Sequence, residues 1–139
     1  MYLIDTNVVS EARKGVRANP GVVDFFKRSG AAPVYLSAIS VGELRRGVEL
    51  IRHRGDEDQA TRLEAWLSLV LEQFSENILS LDAEAAQVWG RLRVPHPEHG
   101  LDKQIAAIAL VNDLTVVTRN TADFAGAGVR LENPFLPVP

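Results

Sequence analysis

The chain has 139 residues, of which 46% are hydrophobic and 24% charged, an ordinary globular composition that can bury a core without a disulfide or a structural metal. It contains no cysteine, which excludes thiolate catalysis and cysteine-based zinc sites. The net charge of −3 gives no whole-molecule field for nucleic acid, and no apolar stretch approaches the ~20 residues of a membrane span.

The segments alternate in type. Tyr2–Ile4 is a short apolar strand running into Asp5-Thr6-Asn7, and Thr6–Ala12 reads as a helix. Asn19-Pro20-Gly21 opens a second helix over about Val22–Ser29, with proline at a favoured first-turn position and Gly30 ending it. Pro33–Leu36 is strand-like, and Ser37 or Ser40 caps a long helix to about Arg54. Gly55-Asp56 breaks the chain before a helix that reaches Phe74. Ile78–Leu81 reads as a strand, and Asp82 caps a helix that Pro95 and Pro97 end. A helix over Asp102–Asp113, a β-branched strand Thr115–Thr118 and a final strand Val129–Leu131 complete the pattern. Short apolar strands alternating with helices predict one α/β domain over residues 1–139 with a mainly parallel sheet. No basic segment and long apolar run form a secretory signal, and a cytoplasmic location is expected.

Ligands of such sheets bind beyond the carboxyl ends of the strands, near a switch in strand order. Polar residues gather at those ends. Asp5 reads either as a helix N-cap or as a metal ligand. Glu43 fits a capping box with Ser40, yet it lies at the margin of the apolar stripe Val41, Leu44, Val48 and Ile51, beside Gly47. Gly47 would let a backbone or a substrate approach closely. Asp102 stands at the start of a helix that is wholly apolar from Ile105 to Val111, where capping is again an alternative. Asp123 lies among turn-forming residues. Four carboxylates converging on one sheet edge would repel one another unless a cation were present, and oxygen ligands suit Mg²⁺ or Mn²⁺. The histidines His53, His96 and His99 give no well-placed ligand; His96 and His99 read as exposed loop beside Pro95 and Pro97. Arg45, Arg46, Arg52, Arg54 and Arg62 read as a solvated helix face.

Four motifs, LIDTNVVSE, SVGELRRGVEL, LDKQIAAIAL and VVTRNTADFAGAGVRLENP, keep one order from Tyr2 to Pro134. In these motifs the chain resembles the PIN-domain ribonucleases, most closely the VapC-type toxins of bacterial toxin–antitoxin pairs. The resemblance implies a three-layer α/β/α sandwich and an endoribonuclease that depends on Mg²⁺ or Mn²⁺. It maps an acidic metal-binding and catalytic quartet onto Asp5, Glu43, Asp102 and Asp123, with Thr6, Asn7, Thr118 and Asn120 in support. Cleavage of an RNA phosphodiester by metal-activated water follows. Arg45 and Arg46 become candidate RNA contacts. The implied partners are RNA, a small antitoxin protein that blocks the site, and a second copy of the chain in a homodimer or a larger complex with antitoxin. Two other readings compete. One is a catalytically inactive interaction module on the same fold. The other is a phosphatase with Asp5 as nucleophile, which wants a second acid where Asn7 stands.

Overall fold

The computed structural model describes residues 1–135; residues 136–139 of the expected single domain lie outside them. Five strands form one sheet in the order β3-β2-β1-β4-β5, and every pairing is parallel. The strands are β1 (Tyr2–Ile4), β2 (Val34–Ser37), β3 (Ile78–Leu79), β4 (Thr115–Val117) and β5 (Leu131–Glu132). The helices are α1 (Thr6–Ala12), α2 (Pro20–Ser29), α3 (Ala38–His53), α4 (Glu57–Gln73), α5 (Ala83–Leu92) and α6 (Gly100–Val111). From β1 the chain builds outward through β2 and β3, then crosses to the other side of β1 to lay down β4 and β5. The strand order therefore reverses between β1 and β4.

Successive residues of the central strands point to opposite faces. Ile4 and Val117 face a core made with α1, α2, α3 and α4. Leu3 and Val116 face a second core built from α5, α6 and the segment around Phe124. All four of these strand residues are buried to 1% exposure or less, which explains their unbroken hydrophobicity. These are the two helical layers of an α/β/α sandwich. No helix among the described residues is long and apolar enough to cross a membrane.

Local signals fix most helix starts. The side chains of Asn19, Ser37, Asp56 and Asp82 each accept a backbone N–H in the first turn of α2, α3, α4 and α5. Gly30, at φ 54°, ends α2 in a backbone region that favours glycine. A buried carboxylate adds an anchor that the sequence reading did not single out. Glu11 accepts from the Asn19 backbone N–H at 2.8 Å and from Lys14 Nζ at 3.0 Å, tying α1 to the start of α2.

Three elements differ from expectation. β3 stops at Leu79, although Leu81 packs on the same core as Leu79, and Asp82 then caps α5. β5 lies at Leu131–Glu132, not Val129–Leu131. Gly126 and Gly128, both at positive φ, hold the preceding segment in turns while Ala127 and Val129 fill the core. Finally, α6 begins at Gly100, which puts Asp102 inside its first turn and not at its cap.

Five consecutive residues of α6, Ile105 to Ala109, are buried, so this helix is positioned by packing on every side. Ile108→Ala should lower stability by about 2–5 kcal/mol, measured as a lower denaturation midpoint at unchanged denaturant slope.

Candidate functional site

The register brings three strand ends level. Ile4 pairs with Leu36 on one side and Val117 on the other, so Asp5, Ser37 and Thr118 leave the sheet side by side. This is the switch point of the sheet.

Asp5 is only 4% exposed, and each of its carboxylate oxygens is held. Oδ1 accepts the Thr6 backbone N–H at 2.8 Å, so Asp5 is indeed the N-cap of α1. Oδ2 accepts the Thr118 hydroxyl at 2.8 Å and the Asn7 amide at 3.3 Å. Thr118 Oγ1 accepts in turn from Asn7 Nδ2 at 3.3 Å and from the Asn120 backbone N–H at 3.0 Å. Asn7 Oδ1 receives the Arg119 N–H at 3.1 Å. Asn7 and Thr118 thus lock the end of β1 to the end of β4. Asn120 takes part through its backbone only.

Glu43 comes from α3 and accepts the Thr6 hydroxyl at 3.3 Å. It makes no capping box with Ser40. Ser37 is the cap, and its Oγ accepts Ser40 N–H at 3.0 Å and donates to Ser40 Oγ at 3.1 Å. Both serines are fully buried. Occupying the cap with Ser37 leaves Glu43 free to face the sheet edge. Asp102 reaches the same edge from the first turn of α6, where it caps nothing. Asp123 arrives on a 3-10 turn, Thr121–Phe124, whose Phe124 is buried in the core.

The four acids sense one another. Burial chiefly raises the Asp102 carboxyl, helped by the charges of Asp5, Asp123 and Glu43, and it is pushed up to about 6. Burial and the Asp5 charge raise Glu43, with Thr6 and Arg46 opposing. Burial raises Asp5 too, against hydrogen bonds from Thr118, Thr6 and Asn7. Asp5, Glu43 and Asp102 are each driven toward the neutral form, and with Asp123 they make the donor set of a hard-cation site: carboxylate oxygens from four separate elements.

Two expectations need correction. His99 is exposed, but it is not remote. Its Nδ1 lies 3.9 Å from Asp123 Oδ1 and 4.0 Å from Asp102 Oδ2. The signal was its place three residues before Asp102, across a helix start. Arg45, in contrast, does not reach the acids. It pairs with Glu64 of α4 at 2.5 Å and with Glu49 at 3.3 Å, while Arg52 bonds Glu49, Glu57 and Glu64. These ion pairs brace α3 against α4. Arg46 is exposed and near enough to act on Glu43. Beside Glu43 an open groove of about 310 Å³ is lined by Thr6, Ser10, Arg13, Gly47 and Trp66. A Cβ at Gly47 would meet no protein atom within 4 Å, so its missing side chain widens the groove and serves no internal contact.

A parallel sheet flanked by helices, with acids gathered at its switch point, is the arrangement of a PIN domain; the PIN domain family matches residues 2–128, and the chain belongs to that family. Its relatives sharpen the placement. Toxin FitB of Neisseria gonorrhoeae is 37% identical over 141 aligned residues, covering 97% of this chain and 99% of that protein. VapC ribonuclease Y4jK of Sinorhizobium fredii is 31% identical, covering 99% of each. The crystal structure of FitAcB from Neisseria gonorrhoeae superposes with a TM-score of 0.85 at 35% identity, over 99% of this chain and 100% of that one.

Two outcomes follow from the geometry. Asp102 binds a proton more readily folded than unfolded, so the metal-free protein loses that contribution to stability as pH rises from about 4 through about 6. Asp102→Asn should match the parent near pH 4 and melt about 3 °C higher or more near pH 8, in chelator, by thermal denaturation. Thr118→Val should cost about 1–3 kcal/mol at neutral pH in urea unfolding, because it takes a donor from buried Asp5.

Proposed function

We propose that this chain is a divalent-metal-dependent endoribonuclease and the toxin of a toxin–antitoxin pair. The observation that carries the reading is the convergence of Asp5, Glu43 and Asp102 at one sheet edge, where burial raises each of them and a bound cation would favour their ionised forms. Asp5, Glu43, Asp102 and Asp123 are the residues that would hold Mg²⁺ or Mn²⁺. Such an ion supplies Lewis-acid charge that activates water and stabilises negative charge on a phosphodiester in the transition state.

The protein's own groups do the rest. Thr118, Asn7 and the Thr6 N–H fix both oxygens of Asp5, so its lone pairs keep one direction. Thr6 holds Glu43 in the same way. Arg46, on the margin of the site, is placed to bind an RNA phosphate beside Glu43. Arg45 is engaged in the α3–α4 brace and is the weaker candidate. The groove along Thr6, Gly47 and Trp66 offers single-stranded RNA a way in to the acids. Asn7 donates to both Asp5 and Thr118 and has no acid to offer, which supports the nuclease reading over an Asp-nucleophile phosphatase. The kinship with a toxin and a VapC ribonuclease supports an RNA substrate and a small antitoxin partner for this chain. A homodimer in complex with that antitoxin is part of the same proposal.

The purified chain should cut RNA with Mg²⁺ or Mn²⁺ and stop in excess chelator. Asp5→Asn should reduce cleavage about 100-fold or more while circular dichroism stays that of the parent. Cleavage at the parental rate in that variant, or in chelator, would sink the proposal.

A further inference from the structure

We infer that His99 is a metal ligand of this site, giving it a nitrogen donor beside its carboxylates and tilting its preference from Mg²⁺ toward Mn²⁺ and related transition ions. The inference rests on the metal site proposed above.

Three ligand atoms, one each from His99, Asp102 and Asp123, lie within 4.8 Å of one another. The imidazole Nδ1 is 3.9 Å from Asp123 and 4.0 Å from Asp102. Both separations are too long for hydrogen bonds. They match two donors sharing one ion, since bonds of about 2.0–2.3 Å put neighbouring ligand atoms roughly 3–4.5 Å apart.

The side chain has no other employment. His99 is the N-cap of α6, yet it makes no capping hydrogen bond. Its neighbour His96 shows what an unused histidine of this loop looks like, 76% exposed and close only to Glu98. His99 is also held in place. Its carbonyl accepts the Lys103 N–H at 2.9 Å, Lys103 Nζ bonds the His96 carbonyl, and Trp89 Nε1 donates to the Gly100 carbonyl at 3.0 Å. The loop therefore fixes the His99 backbone beside the two acids, within reach of both for its imidazole.

The chemistry of the donor then sets the choice of ion. Mg²⁺ binds oxygen, keeps its waters and gains little from imidazole, whereas a nitrogen donor adds more to Mn²⁺ and most to the later first-row ions. Because His99 is half exposed, an ion held there would be reachable by water and by a phosphate oxygen.

The test uses the full-length protein loaded with Mn²⁺. Electron spin-echo spectroscopy should show ¹⁴N modulation from a directly bound nitrogen. His99→Gly suits this backbone, whose φ of 55° favours glycine, so the fold should survive. That variant should lose the modulation and about tenfold or more of Mn²⁺ affinity by calorimetry, with Mg²⁺ affinity changed less than about twofold. His96→Ala should keep both signals. Absence of ¹⁴N modulation in the parent, its persistence in His99→Gly, or unchanged Mn²⁺ affinity there would overturn the role of His99 alone. If instead Mn²⁺ binds Asp5→Asn and Asp102→Asn as tightly as the parent, or binds no form, the acidic site itself is refuted and this inference falls with it.

Discussion

The hydrogen bond from Thr118 to Asp5 joins the two strands between which the sheet reverses. It decides where everything else must go. A parallel sheet leaves a crevice at its switch point because the connections on either side depart in opposite directions. Asp5 sits in that crevice with both oxygens committed to neighbours. Its carboxyl group is therefore fixed in position at the base of the site. Glu43, Asp102 and Asp123 are brought up to it by three separate elements, each seated by its own buried residue: Leu44 on α3, Ile105 on α6 and Phe124 on the 3-10 turn. Packing makes the cluster, and electrostatics opposes it. Folding thus maintains a repulsion that a cation would relieve, a common relation between a stable scaffold and a strained site.

What could be read from the sequence depended on the range of the interaction. Caps are local chemistry, and Asp82 was legible as one, with Asn19 and Asp56 marking where helices begin, because each acts within a turn of its own position. The strands β1, β2 and β4 were legible because burial on both faces leaves an unbroken apolar run. Asp5, Glu43, Asp102 and Asp123 stood out as polar groups at strand ends and helix starts, and their order carried the family resemblance. The failures were of two kinds. Local rules competed at α3, where two serines and a glutamate offered rival caps, and only the structure shows Ser37 prevailing. Other roles were non-local. Arg45 read as a solvated helix residue and candidate RNA contact because its partner Glu64 lies 19 residues away on the next helix. His99 looked like loop because Asp123, the acid across from it, belongs to a different element.

The supporting groups also differ in kind from what their residue types suggested. Thr6, Asn7 and Thr118 act through side chains, and each touches an acid directly. Asn120 acts through its N–H, a role that other residue types can fill. Position 120 is thus constrained in backbone path, while Asn7 and Thr118 are constrained in chemistry. The brace of Arg45 and Arg52 on α4 belongs to a third kind. Its pairs are exposed and individually weak, but several share Glu49 and Glu64, and together they steady the helix that carries Glu43.

The Asp5–Thr118 bond has a consequence in time as well as in space. Its partners are 113 positions apart. On the ribosome, β1 is made first and remains an unpaired strand until β2 emerges, and its other edge waits for β4. Asp102 and Asp123 follow Glu43 by 59 and 80 positions. A polypeptide that stops short of Asp123 therefore holds no assembled site, and the four acids come together only once β4 and the turn after it have been made.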